Sequence, residues 1–307
     1  MSGQKFTVGV LIAAFNAENT LARAVASLKR QTEQSWLAVI VDDGSTDSTL
    51  DVATEQAANS DQILVIRQEN QGAGAARNFA ESHLPPSINW CMSLDADDEL
   101  VPEGISLALD GIRSHPSMDI LFYNAWMLDE EGNRRPWVTG EREHVVNFEE
   151  MLKQSKMLGS GTLFSRARFQ QVGGYSDGYV EDYELWLRML RAGSQALYIP
   201  EFMYIYSAYG EQRKTSSSEV TAHATAEVLR DMINSGELSK VQIAAASAHL
   251  ERCYYAVHLE DQRETLLRLL SRIIGQKYSL RALNALHLLA RPFLPLRKVL
   301  AKRASDR

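Results

Sequence analysis

The chain has 307 residues, of which 45% are apolar and 23% charged, an ordinary globular composition that can bury a sizeable core in one large domain with an appendage or in two modest domains. Its net charge of −7 argues against a general nucleic-acid binder. That charge is uneven: residues 277–307 carry eight Lys/Arg against one acid, so the rest of the chain is more acidic than the total suggests.

Residues 6–15, "FTVGVLIAAF", read as a buried first strand rather than a signal-peptide core, because only Lys5 precedes them and no small-residue cleavage site follows. "TLARAVASLKRQ" then sets Leu21, Ala24, Val25 and Leu28 at helical spacing. "WLAVIVDD" is a second strand and "TDSTLDVATEQAAN" a second helix, with Ser45 or Asp47 as N-cap. "QILVIRQ", "GAARNFAESHL" and "INWCMSLD" continue as strand, helix and strand. A fourth helix is expected from about Pro102, a favoured first-turn proline, to about Ser114, followed by the strand "DILFYNAWML". This alternation predicts an α/β fold with an open, mostly parallel sheet and helices on both faces. Ligands of such sheets bind outside the carboxyl ends of the strands. Asn16, Asp42 and Asp43, Gln68 to Gln71, and Asp95, Asp97 and Asp98 should therefore converge on one cleft.

Beyond residue 130 the alternation weakens. Residues 130–147 read as a loop or hairpin, and "GTLFSRARFQQVGGY" as a short strand, a short helix and a glycine turn. "VEDYELWLRMLRAG" is a helix stopped by Gly193, and "QALYIP" a final strand. From about residue 219 the chain reads as helical, ending in a basic, Leu-rich tail. That tail fits either an arm on an anionic membrane surface or a solvated, partner-packed segment. Cys91 and Cys253 lie far apart in no metal-ligand spacing and suit a reducing compartment. No apolar run approaches the ~20 residues a membrane-spanning helix needs. The expected location is cytoplasmic, free or held at the inner face of the cytoplasmic membrane.

Four motifs carry candidate chemistry. In "VDDGSTDST", a turn explains one aspartate well and two adjacent ones, Asp42 and Asp43, less well. "NQGAGAARN" contains G-x-G but follows the third strand and lacks the third glycine, so it is no dinucleotide fingerprint. Its helix N-terminus can still attract an anion, and Arg77 one turn in can reach a phosphate or a base, or be a solvated helix arginine. In "LDADDEL", Asp98 and Glu99 fit an oncoming helix N-terminus. Asp95 fits that reading poorly, and Asp95 with Asp97 has the spacing to hold one hard divalent cation. In "VEDYELWLRM", Asp182 is either an N-cap or a carboxylate general base. No Walker A lysine, H-E-x-x-H or G-x-S-x-G is present.

In this order, "VGVLIAAFNAENTLARAVASLKRQT", "VDDGSTDST", "NQGAGAARN", "LDADDEL", "GTLFSRARFQQVGGY" and "VEDYELWLRM" resemble a bacterial family 2 glycosyltransferase over roughly residues 6–210. The resemblance implies a GT-A fold and inverting transfer from a nucleotide-sugar, usually a UDP-sugar, to a glycan or lipid-linked glycan. It implies a GT-A domain over 1–215, with a nucleotide-binding half (1–130) and an acceptor-side half (131–215), and a helical region over 216–307. Phe15 matches the aromatic along the nucleobase, Asp43 (or Asp42) the acid reading the base N–H, and Glu18 a donor-side acid. Arg77 matches the basic residue near base and diphosphate. Asp95 matches the acid at ribose or metal, Asp97 the direct ligand of Mg²⁺ or Mn²⁺, and Asp182 the catalytic base. Two positions depart from the family pattern. Ala13 stands where proline is frequent, and "MYIYSAYGEQRKTSSS" lacks the usual histidine, leaving Arg213 or Lys214 to neutralise the diphosphate. The rival readings are a catalytically decayed donor-binding scaffold and a sugar nucleotidyltransferase. The second requires a glycine-rich basic loop near the first strand, which "AAFNAENT" does not supply.

Overall fold

The computed structural model describes residues 7–154, 159–207 and 218–254. The first half alternates as its apolar runs predict: β1 (Val8–Ala14), α1 (Leu21–Lys29), β2 (Trp36–Asp43), α2 (Thr49–Ala57), β3 (Ile63–Gln68), α3 (Ala73–Ser82) and β4 (Trp90–Ser93). There follow β5 (Glu99–Leu100), α4 (Gly104–Ser114), β6 (Ile120–Leu128), β7 (Arg134–Pro136), β8 (His144–Val146) and α5 (Phe148–Lys153). Then come β9 (Leu163–Ser165), α6 (Arg166–Gln171), α7 (Glu181–Arg191), β10 (Ala196–Ser207) and α8 (Ser218–Asn234). Residues 240–254 are also helical.

All the described strands join one sheet, ordered β3-β2-β1-β4-β9-β6-β10-β5, with β7 on β6 and β8 on β10. Pairing is parallel from β3 to β4 and between β6 and β10, while β9 runs antiparallel between β4 and β6. The run over 130–147 thus supplies two short antiparallel edge strands. β10 extends well past the predicted "QALYIP". Its register against β6 shifts between Ile199 and Phe202, around Pro200, which has no N–H to give the ladder.

Two apolar layers cover the sheet. On one face Val10, Ile12 and Ile40 pack with Leu21, Val25 and Leu28 of α1 and Ile105 and Ala108 of α4. On the other Leu11, Val39 and Val41 pack with Ala76 and Ala80 of α3, Trp186 and Met189 of α7, and Ala226 and Leu229 of α8. Alternate residues of β1 thus serve opposite layers, which is why the strand reads as continuously apolar.

Three local expectations need correction. The residue before α2 is Ser48, not Ser45 or Asp47, and its side chain makes no capping bond. Asp47 instead accepts from the Thr49 N–H (3.0 Å) and the Thr49 hydroxyl (2.5 Å). The fourth helix begins at Gly104 rather than Pro102, five residues beyond Glu99. Asp98 and Glu99 therefore do not start a helix. Glu99 lies in β5 and pairs with Arg23 (3.2 Å) and Arg30 (3.3 Å), and Asp98 is fully buried beside β10.

The described residues up to Cys253 fall in one compact unit. The boundary expected at 215/216 and the basic tail over 277–307 fall outside the described residues. Among the described residues no helix is long and apolar enough to cross a membrane. Cys91 and Cys253 are buried and free, and burial pushes both thiols up from their ordinary value.

Candidate active site

The site lies along the carboxyl ends of β1, β2 and β4, closed by the start of α7. At the end of β1, Phe15 is 51% exposed, an accessible aromatic face. Asn16 turns the chain with φ +48°, a conformation asparagine tolerates. Its N–H donates to the Ser45 hydroxyl (3.0 Å), and its side-chain oxygen accepts from the Thr46 N–H (3.0 Å). The Glu18 N–H donates to Asp47 (3.2 Å), while the Glu18 carboxylate accepts from the Ser48 N–H (3.0 Å). Glu18 thus supports the N-terminus of α2, where a negative charge is favoured. Asp47, which accepts several of these bonds, lies below its ordinary value although burial opposes the shift.

The adjacent aspartates ending β2 are buried and do different work. Asp42 accepts from the Ser45 N–H (3.2 Å) and pairs with Arg67 of β3 (3.3 Å). Asp43 accepts from Gln68 Nε2 (2.7 Å) and the Gln71 N–H (2.9 Å) on one oxygen, and from the Gly72 N–H (2.9 Å) on the other. It therefore holds the whole β3–α3 loop. The two glycines there differ: Gly72 takes φ +89° with open space around it, whereas a Cβ on Gly74, in the first turn of α3, would lie 2.7 Å from the Ser176 carbonyl oxygen.

Beyond β4, Asp95, Asp97 and Asp98 each offer a carboxylate oxygen, all within 4.8 Å of one another. The turn is closed by the Asp98 N–H on the Asp95 carbonyl (3.1 Å). It is braced from two sides: Arg23 Nη2 donates to the Asp97 carbonyl (2.7 Å), and the Ser207 N–H of β10 donates to Asp98 Oδ1 (3.0 Å). Asp95 and Asp97 are half-buried. Clustered hard oxygen donors of this kind fit Mg²⁺ or Mn²⁺ and suit zinc or copper less well.

Arg77, on the first turns of α3, joins this turn to α7. Its Nη2 bonds Asp95 Oδ1 (2.5 Å) and its Nη1 bonds Glu181 Oε1 (2.8 Å), with Asp182 Oδ1 at 3.8 Å from the same Nη1. The Tyr175 ring lies 5.4 Å from the guanidinium carbon. Arg77 is 4% exposed. Burial alone would lower its guanidinium, but Asp182, Asp95 and Glu181 hold it well above its ordinary value. The solvated-helix reading of Arg77 is thereby excluded. Asp182 is not an N-cap either: α7 begins at Glu181 after Val180, and no side chain caps it. The Asp182 side chain is 25% exposed and lies over Gly159, where an added Cβ would overlap its Oδ2. Sequence reasoning missed both Glu181 as the partner of Arg77 and Gly159. The acid beside Asp182 was visible, but its partner lies 104 residues away. Arg213 and Lys214 fall outside the described residues.

Residues 9–172 match the family model described as Glycosyl transferase family 2. The chain belongs to this family. Chondroitin synthase of Escherichia coli is 28% identical over 193 residues, a stretch covering 61% of this chain and 27% of that protein. EpsE of Bacillus subtilis is 27% identical over 210 residues, covering 66% of this chain and 73% of EpsE. The chain thus spans about a quarter of the first relative and most of the second. Among solved structures, Staphylococcus aureus TarS 1–349 in complex with UDP-GlcNAc aligns with TM-score 0.65 at 18% identity, over 81% of this chain and 73% of that one. The mannosyltransferase PcManGT of Pyrobaculum calidifontis, in complex with GDP-Man and Mn²⁺, aligns with TM-score 0.63 at 16% identity, over 98% and 84%. The fold is GT-A, and the family is one of glycosyltransferases.

Proposed function

We propose that this chain moves a sugar from a nucleotide-sugar, a UDP-sugar, to a hydroxyl of a glycan or lipid-linked glycan, with inversion at the anomeric carbon. The carrying observation is the Arg77 bridge, which brings the acidic turn after β4 and the acid pair opening α7 to one guanidinium. A donor diphosphate at the turn would then lie beside Asp182. The nucleotide-sugars bound by the TarS and PcManGT structures, and the Mn²⁺ of the latter, support this reading by analogy.

Asp95 and Asp97 would hold Mg²⁺ or Mn²⁺, which when bound neutralises the charge developing on the leaving diphosphate. Phe15 stacks on the nucleobase and Asp43, with Asp42 behind it, faces the base edge; Glu18 keeps that loop in place. Asp182 accepts the proton of the acceptor hydroxyl as its oxygen attacks the anomeric carbon. The new C–O bond forms as the bond to the diphosphate breaks, and the electron pair leaves with the nucleoside diphosphate. One base and one displacement give inversion. A positioned carboxylate base contributes about 10²–10⁴-fold. Asp98 anchors the metal-binding turn to β10. The basic tail would hold the enzyme on an anionic membrane surface, at the cytoplasmic face, near lipid-linked acceptors.

The test is a panel of UDP-, GDP- and dTDP-sugars with Mn²⁺, read by binding and by nucleoside diphosphate release. Binding and turnover of a UDP-sugar are expected. Absence of both across the panel overturns the proposal, and binding without any release across acceptors indicates a decayed scaffold.

A further inference from the structure

Tyr204 of β10 is 1% exposed, and its hydroxyl has no hydrogen-bond partner among the described residues. A buried hydroxyl in that state costs stability unless something else pairs it. Its surroundings are those of the site. Its strand neighbours are Leu100 of β5 and Ala125 of β6, and further along β10 the Ser207 N–H holds Asp98 Oδ1 (3.0 Å). The ring lies against Gly161, where an added Cβ would overlap it. Asp182 lies over Gly159 in the same way, and the Ser160 hydroxyl between them accepts from the Asp95 N–H (3.3 Å). The Gly161 N–H ties this segment to the Ser93 carbonyl at the end of β4 (2.8 Å). Three consecutive residues thus touch Asp182, Asp95 and Tyr204 in turn. Burial, then the negative charges of Asp98 and Asp95, hold the Tyr204 hydroxyl well above its ordinary value of 10, so it keeps its proton among these acids.

We propose that the Tyr204 hydroxyl is a ligand-contact group, which hydrogen-bonds an oxygen coordinated to a divalent cation at the acid turn, from a water or from the nucleoside diphosphate. This rests on the reading that such a cation binds at Asp95 and Asp97. Two carboxylates fill only part of the octahedral shell of Mg²⁺, so waters and phosphate oxygens complete it, and those oxygens need partners of their own. A phenol suits them. It can accept from a cation-bound water or donate to a phosphate oxygen. A cationic side chain there would compete with the metal for the carboxylates, and a further acid would add repulsion to oxygens already within 4.8 Å of one another.

Tyr204→Phe removes the hydroxyl alone. In the ligand-free protein its urea midpoint is expected to equal or exceed that of wild type, because no described group loses a bond. A lowered midpoint would reveal a structural partner and overturn the proposal. Binding is read by titration calorimetry with Mn²⁺ alone, and with Mn²⁺ plus whichever of UDP, GDP and dTDP the wild-type protein binds. The variant is expected to bind about 10-fold more weakly, the loss of one hydrogen bond to a charged unit. Weakening with Mn²⁺ alone assigns the contact to a cation-bound water, and weakening only with the nucleotide assigns it to a diphosphate oxygen. Equal affinity in both arms overturns the proposal and leaves the metal-binding role of the turn standing. A wild-type protein that binds neither Mn²⁺ nor any of the three nucleotides with it removes that role and this proposal together. A crystal structure of the wild-type protein with Mn²⁺ and the nucleoside diphosphate is a second test. Tyr204 Oη is expected within about 3.0 Å of a phosphate oxygen or a cation-bound water, and a filled site with no such oxygen beside it overturns the proposal.

Discussion

Two strand ends in this molecule carry the same sequence signature, an apolar run closed by paired acids, yet they behave differently. At the end of β2, Asp42 and Asp43 are 0% and 2% exposed; they accept hydrogen bonds from Ser45, Gln68, Gln71 and Gly72, and Asp42 forms an ion pair with Arg67. After β4, Asp95 and Asp97 are half-buried, and their turn is braced largely through its backbone. The first pair shapes loops; the second leaves carboxylate oxygens clustered within 4.8 Å beside a buried arginine. Acids at strand ends are therefore not one kind of evidence. What separates them is what the carboxylates are seen to hold: loop N–H groups at the end of β2, and the Arg77 guanidinium at Asp95.

The comparison predicts different effects on stability. Asp97→Ala should cut turnover with Mn²⁺ by about 10²-fold or more while barely moving the unfolding midpoint, since charge neutralisation at the diphosphate supplies several kcal/mol. Steady-state rates over a Mn²⁺ titration check this, and unchanged rates would remove Asp97 from the metal site. Asp43→Ala should instead destabilise the fold, by about 3 kcal/mol, because it strands three donors of the β3–α3 loop, and should weaken donor binding at the base as well. Urea unfolding measures it; stability within about 0.5 kcal/mol of wild type, the range for an ordinary surface change, would show that the loop does not depend on Asp43.

A smaller effect is expected from Gly159→Ala. The new methyl would overlap Asp182 Oδ2, so either the loop or the carboxylate must shift. Displacement by about 1 Å lowers kcat by up to about 10²-fold, with little change in donor affinity. Wild-type kcat would show that the position of Asp182 is not critical. The smallest effect concerns pH, away from the site. His249 is buried against the Leu152 carbonyl (3.1 Å) and the Tyr183 hydroxyl (3.4 Å), and burial holds its imidazole below the ordinary value of 6.5. The unfolded chain therefore binds a proton that the folded chain resists. Stability should be full above pH 6.5 and fall as the pH drops towards the lowered value. His249→Gln should flatten that slope in urea melts between pH 7 and 5, and an unaltered slope would exclude His249 as its source.

Much of the fold was legible because apolar runs bounded by turn residues record burial directly, as in β1, β2 and α7. The insertion of β9 between β4 and β6 was not, because three residues carry no periodicity and sheet neighbours are set by distant chain. Asp98 and Glu99 were misread as helix-starting acids because local composition cannot distinguish a dipole partner from a buried anchor. Only β10, 109 residues away in sequence, shows that Asp98 holds the Ser207 N–H. Likewise Arg77 reads either as reaching a phosphate or a base or as a solvated helix arginine until Asp95 and Glu181 are brought to it. Strand ends and turns were readable, but which groups share one cation was not, since that depends on contacts between distant segments.

The measurement that bears most directly on the account is donor binding and transfer by Asp182→Asn, made on the nucleotide-sugar that the wild-type protein accepts. The account predicts donor affinity within about twofold of wild type and transfer reduced by about 10²–10⁴-fold, the contribution of a positioned base. Transfer at the wild-type rate would contradict it.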